Sequence, residues 1–123
     1  MASYMHAYQS YASTPTKSTK DTEIEIILET TRRLKRADET RDKDFPTFAA
    51  ALHDNRKLWI TLAADVADSQ NGLPRELRVK IFYLSEFVQI YTRKTLTEAL
   101  SVDPLLDINL AILRGLASKR NME

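Results

Sequence analysis

Apolar residues recur along most of the chain at intervals of three and four, the period of an α-helix that buries one face. Ile24, Ile27, Leu28, Thr31 and Leu34 define the first such helix, opened by Ser18 with Asp21 three positions later. It ends in Arg32, Arg33, Lys35 and Arg36, cations well placed against the negative end of a helix dipole. Residues 40–44 make a charged linker. Asp44 then caps a second helix with Pro46 in its first turn, where a missing N–H costs nothing. This helix reaches Val66 or Asp68, and Phe48, Ala51, Leu52, Leu58, Trp59, Leu62, Ala63 and Val66 form one broad arc facing the core. Asn55 falls in the middle of that arc, where a buried amide must find partners.

Residues 69–72, Ser-Gln-Asn-Gly, are the strongest break in the pattern, and Leu73-Pro74 restarts a helix that runs to about Leu96. Leu77, Ile81, Leu84, Val88 and Tyr91 give it a seam for packing against a neighbour. Tyr83, Phe87 and Ile90 form a second stripe beside the seam, so the apolar surface covers roughly half the circumference. Asp103-Pro104 caps a fourth helix carrying Leu105, Leu106, Ile108, Leu110, Ile112, Leu113 and Leu116, which Gly115 and the polar residues 118–123 bring to an end. Asn109 interrupts its apolar arc much as Asn55 does in the second helix. Ahead of all this, residues 1–20 show no sustained period and read as a loosely ordered arm, with Tyr4, Tyr8 and Tyr11 four and three apart. The pattern predicts an all-α fold: a small bundle of about four helices over residues 21–118, between the arm and a polar tail at 119–123.

Composition agrees. A chain of 123 residues with 43% hydrophobic and 28% charged residues supports one folded domain, and two glycines with four prolines are too few for a many-stranded β fold. Eighteen basic residues against 17 acidic leave a net charge of +1, which offers no broad field for a polyanion and argues against nucleic acid. The run from Arg32 to Arg36 is interleaved with Glu25, Glu29, Asp38 and Glu39, as in a solvated helix end. The absence of cysteine excludes disulfides and thiolate chemistry and fits a reducing compartment, and no apolar run has the length of a membrane span. The sequence reads as soluble and cytoplasmic.

Catalytic signatures are scarce. His6 and His53 lack a second ligand at metal-binding spacing, and Gly72 and Gly115 cannot build a phosphate loop or a nucleophile elbow. Asp65, Asp68 and Glu76 bracket the central turn, where capping and solvation explain them better than paired-carboxylate catalysis. No enzyme, metal or cofactor is expected. Apolar surface in excess of what a small bundle hides points instead to a binding module.

The segment NRKLWITLAADVADSQNGLPRELRVKIFYLSEFV, followed by LLDINLAILRGLA and preceded by AYQSYA in the arm, resembles the FlaF family of flagellar biosynthesis proteins. Its most specific pieces are Leu58-Trp59 with Asp65, Asn71-Gly72-Leu73-Pro74, and Ile108-Asn109 with Gly115-Leu116. The resemblance implies a protein that supports flagellin output as a flagellin-specific export chaperone, or as a regulator of flagellin translation acting through RNA or with FlbT. Helix-in-groove binding of flagellin's amphipathic ends, with Tyr83, Phe87 and Ile90 as the groove and Tyr8 and Tyr11 contributing from the arm, fits the chaperone reading. Trp59, Leu73 and Pro74 are expected to be structural. Asn55 and Asn109 are expected to hydrogen-bond each other or the backbone inside the core and so fix the register of the second and fourth helices.

Overall fold

The computed structural model describes residues 19–122, which form four α-helices and no strand: α1 (Thr19–Glu39), α2 (Phe45–Ala67), α3 (Arg75–Glu98) and α4 (Asp103–Met122). The all-α bundle read from the periodicity is the fold. Short connections make successive helices antiparallel. α2 packs most extensively on α3, α1 lies against both α2 and α4, and α3 touches α4 only lightly.

The boundaries depart from the sequence reading at both ends. α1 begins at Thr19, inside the segment read as arm. α4 passes through Gly115 and the segment read as a tail. A helical glycine is disfavoured by about 1 kcal/mol, which tertiary contact overrides here. A Cβ at Gly115 would lie 3.3 Å from Leu77 Cδ1, so the missing side chain lets α4 approach α3 closely. The start of α4 also differs. Val102, fully buried, takes the cap position and its carbonyl accepts from Leu105 and Leu106, while Asp103 sits in the first turn. At α2 the reading holds: the Asp44 side chain accepts from the Thr47 N–H, with Pro46 in the first turn.

The core is built around Trp59, Phe48, Leu52, Ile27, Leu34, Leu105, Ile112 and Leu116, each at most 1% exposed. Each contributes about 1.5–3 kcal/mol of apolar burial. At its centre lies a polar cluster shared by three helices. Asn109 Nδ2 donates to Asn55 Oδ1 at 2.8 Å and to Thr31 Oγ1 at 3.0 Å, and Asn109 Oδ1 accepts from Trp59 Nε1 at 2.8 Å. Thr31 Oγ1 in turn donates to the Ile27 carbonyl at 2.6 Å. All the amide capacity of Asn109 that faces the cluster is used, whereas Asn55 Nδ2 is buried without a partner.

Arg41, which the sequence placed in a plain charged linker, ties one end of the bundle together. Its guanidinium donates to the carbonyls of Leu100 at 2.9 Å and Ala99 at 3.0 Å. The same group lies 4.7 Å above the Phe48 ring and 3.4 Å from Asp38. The opposite end is closed by the 68–74 turn, where the Asn71 side chain donates to the Asp65 carbonyl and accepts from the Leu73 N–H, both at 3.0 Å. Half-buried Leu73 packs on the core, and Pro74 takes the cap position of α3, its carbonyl accepting from the Arg78 N–H at 3.0 Å.

Candidate partner-binding face on the third helix

The expected seam of α3 packs on the core, but polar residues share its inward line. Ile81, Ser85, Val88, Thr92 and Thr95 are the buried residues, while Leu77, Leu84 and Tyr91 lie half-buried on its flank. Small hydroxyl side chains take these positions because α2 and α3 approach closely. Ser85 Oγ donates to the Trp59 carbonyl at 3.0 Å, and Thr95 Oγ1 to the Tyr91 carbonyl at 2.8 Å, so these two enter the interior with their polar atoms satisfied, whereas Thr92 Oγ1 is buried without a partner. Hydropathy alone places such residues outside.

The other side of α3 is apolar and open. Tyr83 is 65% exposed, Ile90 48% and Phe87 42%, joined by Phe82 at 47% and Val79 at 43%. At 100° per residue, Val79, Tyr83 and Ile90 share one line, with Phe82 flanking it toward α2 and Phe87 toward α4. Aromatic contacts give the stripe form: Phe82 meets Tyr83 edge to face with centroids 5.9 Å apart, and Phe87 stacks on Tyr91 at 5.4 Å. The Tyr91 hydroxyl is held by the Ser101 carbonyl at 2.6 Å, fixing the ring that supports Phe87. The sequence reading missed Val79 and Phe82, although the helical period that selected Tyr83 and Ile90 would have found both.

Beside the stripe a groove of about 320 Å³ runs between the end of α2 and the start of α3, lined by Val66, Ala67, Arg75, Arg78, Val79, Phe82 and Tyr83. Its floor is apolar and its edge cationic. Arg78 is half-buried with Nε enclosed and unpartnered, and no ion pair among the described residues involves Arg75 or Arg78. Burial first, and the neighbouring Asp68 second, raise the Asp65 carboxyl above its ordinary value of 3.8. Asp68 receives the Gln70 N–H at 2.8 Å, a capping role rather than that of a catalytic partner.

Other sequence candidates stay apart from this face. Tyr8, Tyr11 and His6 lie outside the described residues. His53 is exposed on α2, and no group of three or more His, Asp or Glu suited to a metal occurs among the described residues. In the basic run of α1, Arg33 pairs with Asp54 of α2 and Arg36 approaches Glu29 at 3.6 Å. Among the described residues no helix is long and apolar enough to cross a membrane.

A family model described as flagellar protein FlaF matches residues 4–116. No curated protein and no solved structure matches the chain.

Proposed function

From the premise that the chain belongs to the FlaF family of flagellar proteins, we propose that it is a non-catalytic cytoplasmic protein that binds flagellin through the outward face of α3. In this reading it serves as an export chaperone supporting secretion and filament assembly. The observation that carries this is the exposed run of Val79, Phe82, Tyr83, Phe87 and Ile90 on a helix whose opposite side already completes a core. Such a stripe is costly in water and is suited to covering the apolar face of an unassembled amphipathic helix. It needs no cofactor.

The test is the double variant Phe87→Ser/Ile90→Ser. Both side chains lie on the outer face of α3 and neither belongs to the core cluster, so circular dichroism should match the parent and thermal stability should fall only modestly. Flagellin affinity should fall by at least about tenfold, the loss of two apolar anchors. Unchanged affinity removes α3 as the docking face. Parallel titrations with flagellin messenger leader and with FlbT separate export from translational control: salt-sensitive binding of the leader alone would favour the regulator.

A further inference from the structure

The groove beside the α3 stripe has a chemical asymmetry that an apolar docking face alone does not need. Its floor is Val66, Val79, Phe82 and Tyr83, and its rim carries Arg75 and Arg78. Arg78 Nε is enclosed within the protein and donates to nothing. A buried donor left idle is ordinarily destabilising, and more so on a charged group. The two terminal guanidinium nitrogens match the two oxygens of a carboxylate, giving paired, charge-assisted hydrogen bonds. Beside the groove Arg75, Arg78 and Lys80 are matched in number by Asp65, Asp68 and Glu76, so selection rests on the hydrogen bonds of the two arginines rather than on a net field. Asp65 and Asp68 on the α2 side form no ion pair with these arginines.

We propose that this groove receives an amphipathic helix bearing a carboxylate at the margin of its apolar stripe, with Arg78 and Arg75 as the carboxylate receptor. The proposal rests on the reading of α3 as a docking face and adds the chemistry by which one helix is selected over another. The apolar floor takes the stripe and the arginine rim sets its rotation, because only one edge of the incoming helix can present its acid to Arg78. A partner with a lysine at that margin meets like charge beside an apolar floor and is rejected.

Three labelled helical peptides of about 18 residues, leucine-striped and identical except for glutamate, glutamine or lysine at one stripe margin, test this against the full chain by fluorescence anisotropy. The expected order is glutamate tightest by about tenfold over glutamine, as hydrogen bonds to a charged group imply, with lysine weakest. Arg75→Gln/Arg78→Gln should erase the order while leaving the glutamine peptide's affinity in place. Equal affinity for all three peptides, with binding still lost in Phe87→Ser/Ile90→Ser, overturns the carboxylate receptor and leaves the docking face standing. Equal affinity that also survives Phe87→Ser/Ile90→Ser overturns both. Sedimentation showing self-association that disappears in Phe87→Ser/Ile90→Ser, with no peptide bound, would seat a second copy on the face and likewise overturn the proposal.

Discussion

Asn109 commits both amide hydrogens and its carbonyl to three different side chains, whereas Asn55 uses only its carbonyl. The two residues are therefore not equivalent. Asn109→Ala strands the Trp59 indole N–H and the Asn55 amide together and should cost about 2–4 kcal/mol in chemical denaturation. Asn55→Ala removes an orphan donor along with the bond and should cost distinctly less. Their effects should also fail to add, since each removes the same hydrogen bond. Asp65 gives a pH test. Its carboxyl is raised in the folded state, so the native protein holds its proton more tightly than the unfolded chain. Stability from this group is thus lost as pH climbs from the unfolded value toward the raised folded one, and Asp65→Asn should raise Tm by a few degrees at pH 7 and by nothing well below pH 3.8. The asparagines were legible in the sequence because they broke apolar arcs. Their link to Trp59 and Thr31 was not, since those partners lie 50 and 78 positions from Asn109 along the chain.

At the scale of elements, the caps and turns decide where each helix stops. α3 ends on Ala99, which adopts the left-handed conformation at φ 54° and ψ 41°. Glycine occupies that region without the clash of a Cβ, so Ala99→Gly should add about 0.5–1 kcal/mol of stability in a denaturant titration. The strain is tolerated because Arg41 binds the Ala99 and Leu100 carbonyls. Arg41→Lys should cost about 1–2 kcal/mol despite keeping the charge, because a lysine ammonium lacks the planar fork that spans two carbonyls and lies over Phe48. The caps at Asp44 and Pro74 could be read directly from residue type and position. Arg41 could not, since nothing local distinguishes it from its charged neighbours in residues 40–44. The inward Ser85 and Thr95 escaped for a similar reason: hydroxyls that bond to backbone carbonyls look polar in any hydropathy pattern.

In the whole molecule, four apolar stripes close into one core and a fifth, on α3, is left outside. That excess was visible from the helical period of Tyr83, Phe87 and Ile90. The groove with its arginine rim was not, because it needs the end of α2 placed beside the start of α3. The two ends of the bundle are fastened differently. Arg41 spans both connections at one end, while the other depends on a turn closed by its own asparagine and on the glycine gap between α3 and α4. Amide protons near residues 95–106 should therefore exchange with deuterium more slowly than those near residues 68–78, by a margin that shrinks in Arg41→Ala. An arriving helix would meet its receptor at the end that breathes, so seating it should act as a second rivet and slow exchange there first.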